Sequence, residues 1–93
     1  MAVIVHIPGP LRNFADGQSR VEIDGSPQSV SEVFRALGER YPGIRHRVLN
    51  EQGGVREHIN IFVGEESIRY TGGLDTPVPG ECEIFIIPAV SGG

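Results

Sequence analysis

One segment near the end of the chain, Glu81–Pro88 (ECEIFIIP), is apolar on both faces at the alternation of a β-strand. Such a strand is typical of the centre of a sheet, where both of its edges are paired. Ala2–Pro8 (AVIVHIP) is the other strongly apolar strand. We therefore expect the first and last strands of the chain to lie side by side in the middle of one sheet.

Three further segments have strand character. Gln18–Asp24 and Glu57–Val63 alternate apolar and polar residues, and Glu66–Tyr70 is predicted as a short strand after a tight turn at Gly64-Glu65. The turn signals between the first two strands favour a β-hairpin with a medium loop. The loop between the last two strands, Thr71–Gly80, is rich in turn residues.

Between the second and third strands the hydrophobic period changes to that of a helix. The apolar positions fall on one stripe, consisting of Val30, Val33, Phe34, Leu37 and Tyr41. Ser29 followed by Glu32 is the pattern of a capping box, and Pro42-Gly43 is predicted to end the helix. Ile44–Asn50 is predicted to add a short helical turn.

This order of elements predicts an α+β fold in two layers, with one main helix on one face of a mixed sheet of four or five strands. With 93 residues there is room for one domain, which we place at 1–88, followed by a flexible tail at 89–93. Leu11 and Phe14, in the first loop, are expected to fold back over one end of the core.

Composition excludes several functions. Eight arginines against twelve carboxylates give a net charge of −4, which disfavours nucleic acid and anionic membranes as partners. The chain has no lysine, so it has neither a Schiff-base lysine nor a GxxxxGK phosphate loop. A single cysteine, no apolar run of about 18 residues and no leader pattern predict a soluble, cytoplasmic protein.

The sequence contains no constellation typical of catalysis. His6, His46 and His58 lack metal-ligand spacing and are interpreted as surface or structural histidines, so we predict no metal and no cofactor bound by this chain.

Acidic residues and the cysteine have equally ordinary interpretations. Cys82 lies between Glu81 and Glu83, and two neighbouring carboxylates are expected to raise the pKa of its thiol, which makes it unreactive. Glu65-Glu66 and the Glu81/Glu83 pair are interpreted as solvated charges that keep the domain in solution.

The carboxyl-terminal residues AVSGG are the first feature that suggests function. Extended, Ala89–Gly93 spans about 16 Å beyond the last strand at roughly 3.3 Å per residue. Gly92 and Gly93 have no Cβ, so this tail fits a narrow channel. The α-carboxylate of Gly93 is an anion at neutral pH and inert to nucleophiles, so another protein must activate it.

The open face of the sheet is the second such feature. If the helix covers one face, large apolar groups point away from it on neighbouring strands and form a patch typical of a protein interface. The predicted interface consists of Ile4, Phe62, Phe85 and Ile87, with Pro88 at the end of the strand. The alternative is that Phe14 or the Thr71–Gly80 loop covers this patch.

The end of the chain, IFIIPAVSGG preceded by GGLDTPVPGECEI, resembles the ubiquitin-like sulfur carrier proteins of the MoaD/ThiS family, and the resemblance extends over essentially the whole chain. HIPGPLRNFADGQ and INIFVGEESIRYTGGLDTPV are most similar to the branch that serves cysteine biosynthesis. Members that serve thiamine synthesis are generally shorter and lack much of the 43–57 region. The resemblance implies the β-grasp fold, in agreement with the element order.

The resemblance also implies a mechanism. A ubiquitin-activating-type enzyme uses ATP to adenylate Gly93, and sulfide or a persulfide donor displaces AMP to leave a thiocarboxylate. Gly93 then carries the sulfur, Gly92 provides the narrow approach, Ala89, Val90 and Ser91 line the partner's channel, and Phe62, Phe85 and Ile87 face the partners.

Two pathways are implied as recipients of the sulfur. In the cysteine branch, a pyridoxal-phosphate cysteine synthase captures it on an aminoacrylate, and a metalloprotease releases the cysteine formed. In the other, the chain is the small subunit of molybdopterin synthase and its tail enters the large subunit. Two alternatives from other classes stay open: a ubiquitin-like modifier joined through Gly93 to lysines of other proteins, and an interaction module with an inert tail.

Overall fold

A computed structural model of the chain describes residues 3–88. Ala89–Gly93, for which a flexible tail is predicted, lie outside the described residues. The strands are β1 (Val3–His6), β2 (Arg20–Ile23), β3 (Ile59–Val63), β4 (Glu66–Ser67) and β5 (Cys82–Pro88), and the helices are α1 (Val30–Arg40) and α2 (Pro42–Val48). Short 3₁₀ helices occur at Gly9–Ala15, Ile68–Tyr70 and Gly73–Asp75.

The strands form one mixed sheet in the order β2-β1-β5-β3-β4. β5 pairs in parallel with β1 and antiparallel with β3, while β1–β2 and β3–β4 are antiparallel pairs. The prediction that the first and last strands lie together in the centre is confirmed. A central position agrees with the apolar character of β5 on both faces, since neighbouring strands on each side help to cover its side chains.

Both helices pack on the same face of the sheet and close one core. On the sheet side the core takes alternate residues of the strands, among which Val5 and Ile84 have no exposed surface. On the helix side it takes Val30, Val33, Phe34 and Leu37. Burial of each such side chain stabilises the fold by roughly 1.5–3 kcal/mol relative to leaving it exposed.

The helical region divides in two where a single main helix was predicted. Ser29 caps α1, since its Oγ accepts the backbone N–H of Glu32 at 3.2 Å, and the Glu32 carboxylate accepts the N–H of Gln28 at 3.3 Å. Pro42 ends α1 as expected but also begins α2, because the first turn of a helix has no use for the N–H that proline lacks. The predicted turn after Pro42 is therefore a second helix.

Gly38 explains how the two helices come so close. A Cβ at this position would lie 2.7 Å from Cδ of Arg45 and 3.2 Å from its Cβ, so the side chain of Arg45 lies across the bare glycine backbone. The helix propensity that glycine loses relative to alanine, about 1 kcal/mol, is offset by this contact between α1 and α2.

Two further segments differ from the prediction. The first loop forms a 3₁₀ helix, through which Leu11 is buried and Phe14 half-buried against the core, as expected of these two residues. The predicted strand Glu66–Tyr70 ends at Ser67, whose Oγ accepts the N–H of Arg69, and the chain then turns to bury Ile68. None of the helices within residues 3–88 has the length and apolar character that crossing a bilayer requires.

Candidate partner face and carboxyl-terminal tail

β5 connects the sheet to the carboxyl-terminal tail. Its first half pairs with β1 up to Phe85, and its second half pairs with β3 up to Pro88, which lies opposite Ile59. The strand that leads to the tail is therefore held in the centre of the sheet. The predicted roles of Ala89, Val90, Ser91, Gly92 and Gly93 lie outside the described residues and stay predictions.

The four predicted outward side chains share the face of the sheet opposite the helices. Phe85 lies directly opposite Phe62 on β3, and Ile87 lies opposite Asn60. Ile4 is on β1, opposite Glu83. Ile4, Phe62 and Phe85 are half-buried, whereas 47% of Ile87 is exposed, so we call these four side chains the open-face patch. Their placement agrees with the sequence, and their role as an interface stays a prediction.

Pro88 has a different position from the other predicted interface residues. It follows Ile84 and Ile86 in the alternation of β5 and pairs with Ile59, which is buried in the core. Pro88 is half-buried at the end of the strand. Any contact it makes with a partner therefore comes from its position beside the tail and not from the open-face patch.

His6 belongs to the open face, although it was interpreted as an ordinary surface or structural histidine. Its ring stacks on Phe85 with 4.4 Å between centroids and 3° between planes. Its Nε2 lies 2.5 Å from a carboxylate oxygen of Glu83. The contact depends on the parallel register of β1 and β5, which places His6 opposite Phe85, and the sequence pattern holds no signal of that register.

Charged residues border the patch on the β2 side. Arg20 lies opposite His6, and Glu22 lies opposite Ile4. With Glu83 they place both signs of charge next to the apolar centre. An apolar centre with a charged rim is the usual composition of a protein–protein interface.

Neither segment considered as a cover lies on this face. Phe14 packs against α2, where Arg47 lies 4.6 Å above its ring and Gly43 makes room for it. The Thr71–Gly80 loop pairs with the start of α1, since the N–H of Val30 donates to Thr76 and that of Val78 donates to Gln28. Both segments therefore pack on the helix side of the sheet.

The thiol of Cys82 is held in its protonated form. Burial raises its pKa above the ordinary value, and the charge of Glu83 raises it further. The predicted direction is confirmed, but the cause needs correction: burial has the larger effect, and Glu83 is the one neighbouring carboxylate that contributes. Sequence alone could not show that the start of β5 is partly covered.

The remaining candidates lie apart from the open-face patch. His46 and His58 line a concave surface beside α2, Glu65 is in the turn between β3 and β4, and Glu66 is on the edge strand β4. Among residues 3–88, no three histidine, cysteine or acidic side chains are grouped so that they could hold a metal ion.

Taken together, the mixed five-stranded sheet, the helices on one face and the central position of β5 define a ubiquitin-like β-grasp domain. The model of the ThiS family matches residues 5–93. The chain therefore belongs to the ThiS family.

Individual relatives match the sequence of this chain over its full length. The chain is 35% identical to the sulfur carrier protein CysO of Mycobacterium tuberculosis over 95 residues, and the match covers 100% of both chains. It is 30% identical to a putative sulfur carrier protein of Archaeoglobus fulgidus, again over 100% of both. Among solved structures, the BexX/CysO complex of Amycolatopsis orientalis contains a chain that matches with 36% identity and a TM-score of 0.89, covering 99% of this chain and 100% of that one.

Proposed function

We propose that this protein is a sulfur carrier whose Gly93 carboxylate is adenylated, converted to a thiocarboxylate and used to donate sulfur in cysteine biosynthesis. One observation carries the proposal: the similarity to proteins named sulfur carriers extends over the whole chain, and the family match continues through Gly92 and Gly93. In this function the protein is a co-substrate, and the catalytic groups belong to its partners.

Activation is needed because a carboxylate resists nucleophiles. In the proposed first step, a carboxylate oxygen of Gly93 attacks the α-phosphorus of ATP on an activating enzyme, and pyrophosphate leaves. Hydrosulfide, free or supplied by a donor protein, then attacks the carbonyl carbon, and AMP leaves with the pair of electrons from the broken C–O bond. The product is a thiocarboxylate whose sulfur is a better nucleophile than the original oxygen.

Transfer follows in a second partner. In the cysteine branch, the thiocarboxylate sulfur adds to an aminoacrylate held by a pyridoxal-phosphate synthase, and an S-to-N acyl shift leaves cysteine joined to Gly93 by an amide bond. A metalloprotease hydrolyses that bond and restores the carboxylate. The described residues of this chain supply none of these catalytic groups, so their contribution is to bind each partner and to aim the tail.

The open-face patch is suited to that contribution. Two of its members, Phe85 and Ile87, lie on β5, the strand that leads to the tail, so a partner seated on them is close to the point where the chain leaves the sheet. Central anchoring of β5 also limits the movement of that point. A docked partner therefore receives the tail in a defined direction.

Intact-mass analysis tests the proposal directly. The protein is incubated with its activating enzyme, ATP and sulfide, and we expect a mass increase equal to the exchange of one oxygen for one sulfur. The same product should form neither without ATP nor in a variant that lacks Gly93. Covalent adducts on lysines of other proteins would instead support a modifier, and an unchanged carboxylate under all conditions would support an inert tail.

Deletion of Gly93 separates chemistry from folding. We expect sulfur transfer to be abolished while the thermal unfolding midpoint is unchanged, because Gly93 is predicted to lie in the tail, beyond the core that residues 3–88 build. A large loss of stability on this deletion would contradict the placement of the tail outside the core.

The pathway is tested by the partner. Incubation of the thiocarboxylate form with a pyridoxal-phosphate cysteine synthase and its aminoacrylate precursor should give a cysteine adduct on Gly93. If the large subunit of molybdopterin synthase takes the sulfur instead, the carrier function stands and the assignment to cysteine biosynthesis is wrong.

A further inference from the structure

A basic concave surface lies beside α2, apart from the open-face patch. It has a volume of about 410 Å³ and is lined by His46, Arg47, Arg56 and His58. These four residues line it without any carboxylate. In a protein with a net charge of −4, a surface lined only by basic side chains is a departure that needs an explanation.

Helix electrostatics explain part of this arrangement. Arg45, His46 and Arg47 occupy the last turn of α2, where positive charge interacts favourably with the helix dipole. Arg56 and His58 do not belong to α2, since they lie in the segment that leads into β3. The fold brings them to the same surface, and the helix dipole does not account for that.

The two guanidinium groups are held in place by neutral contacts. Arg56 donates from Nε to the backbone carbonyl of His46 at 3.0 Å, and Arg47 lies 4.6 Å above the ring of Phe14. Among residues 3–88 the one ion pair joins His6 and Glu83 on the other side of the sheet. Arg47 and Arg56 are thus oriented while their charges have no carboxylate partner in the described part of the chain.

We propose that this basic surface binds a phosphate group. Two guanidinium groups and two imidazoles offer donors from two segments of the chain, α2 and the segment before β3, which suits a tetrahedral anion with several oxygens. Since the rest of the chain is acidic, a single phosphate fits better than a nucleic-acid backbone. The volume of the concavity is within the usual range for small-molecule sites, so it has room for a phosphate monoester. The inference does not depend on the proposed sulfur chemistry.

Titration with phosphate, followed by NMR of the histidine side chains, tests this proposal. Two of the three histidines line the basic surface, and His6 on the open face is an internal control. Inorganic phosphate is added at constant pH and ionic strength, with chloride as the balancing anion. We expect saturable shifts of the imidazole signals of His46 and His58, and no shift of His6, which lies on the open face. Acetate at the same concentrations should produce much smaller changes.

Matched variants locate the site. Arg47→Gln and Arg56→Gln should each weaken phosphate binding about fivefold, as expected when one charge-assisted contact is lost. Arg35→Gln is the control, since Arg35 lines a different surface with Glu32 and Glu39. His58→Gln is a second site variant whose side chain makes no hydrogen bond within residues 3–88, so it should weaken binding without disturbing the fold.

The source of the phosphate is read from a second ligand. Titration with AMP distinguishes two kinds of site. A site for phosphate monoesters should bind AMP more tightly than inorganic phosphate, whereas a site for the free oxyanion should bind the two equally. Either result supports the proposal. The proposal would be overturned by shifts that do not saturate, by equally large shifts at His6, or by equal shifts with acetate. It would also be overturned if Arg47→Gln and Arg35→Gln showed the same phosphate affinity.

Discussion

Residues 84–87, in the middle of β5, place chemically similar side chains on two physically different faces. Ile84 and Ile86 point to the helices and are almost fully buried, whereas Phe85 and Ile87 point the other way and retain exposed surface. All four are large and apolar. The comparison shows that hydrophobicity makes this strand central in the sheet, but the position of the helices decides which of its side chains stabilise the fold and which are left for a partner.

The clearest way to test this comparison is the same substitution on both faces. Ile84→Ala should reduce the free energy of unfolding by about 4 kcal/mol, because it opens a cavity in a fully buried site. Ile87→Ala should cost less than about 1 kcal/mol, since 47% of the side chain is already exposed. Chemical denaturation measures both values. Equal losses would mean that the open face is covered.

Partner binding should show the opposite ranking. Phe85→Ala is expected to weaken binding to the activating enzyme by about 2 kcal/mol, or roughly 30-fold, as for an aromatic residue in the centre of an interface. Tyr70→Ala is the matched control, because Tyr70 is 87% exposed in the 3₁₀ helix after β4. Titration calorimetry compares the two. Similar affinities for both variants would remove the open-face patch as the docking surface.

The smallest expected effect concerns the thiol at the start of β5. Because burial and Glu83 raise the pKa of Cys82, alkylation by iodoacetamide should reach half its maximal rate at a higher pH than for an unstructured cysteine. Glu83→Gln should lower that pKa only slightly, since burial is the larger cause. Alkylation rates measured across the pH range give both values; a thiol that titrates below its ordinary pKa would contradict the described surroundings.

The same pKa shift affects stability in a defined direction. The native state holds the thiol proton more tightly than the unfolded chain does, so the free energy of unfolding falls as pH rises from the thiol's ordinary pKa to its raised one. Cys82→Ser should remove this part of the pH dependence.

Much of this architecture could be predicted because successive side chains of a strand point to opposite faces, so each apolar segment could be divided into two faces. The faces of β1, β3 and β5 followed from alternation, and the α1 stripe from a period near 3.6. Breakers were harder to interpret, since Pro42 both ends one helix and begins the next. In Ser67–Tyr70 the alternation of apolar and polar residues continues, but the backbone leaves the extended conformation of a strand. The reason is that the Ser67 side chain accepts a hydrogen bond from the backbone N–H two residues on.

The site was predictable to the extent that it depends on alternation alone. The outward position of Phe85 followed from the pattern, but the ring of His6 stacked on it depends on the parallel register with β1, which the sequence pattern does not give. The gathering of Arg56 and His58 beside α2 likewise depends on how the segment before β3 is routed. Contacts between distant segments are fixed by the assembled fold and not by local periodicity.

The parallel pairing of β1 with β5 also has a consequence for biosynthesis. A nascent chain interrupted before Cys82 contains only two separate two-stranded units, β1–β2 and β3–β4, which are marginal in water without the strand between them. Incomplete chains therefore expose the apolar residues that β5 would cover and are natural targets for proteolysis. The strand that completes the fold is synthesised immediately before the residues proposed to carry sulfur. A chain that has folded stably therefore contains at least the strand that leads to them.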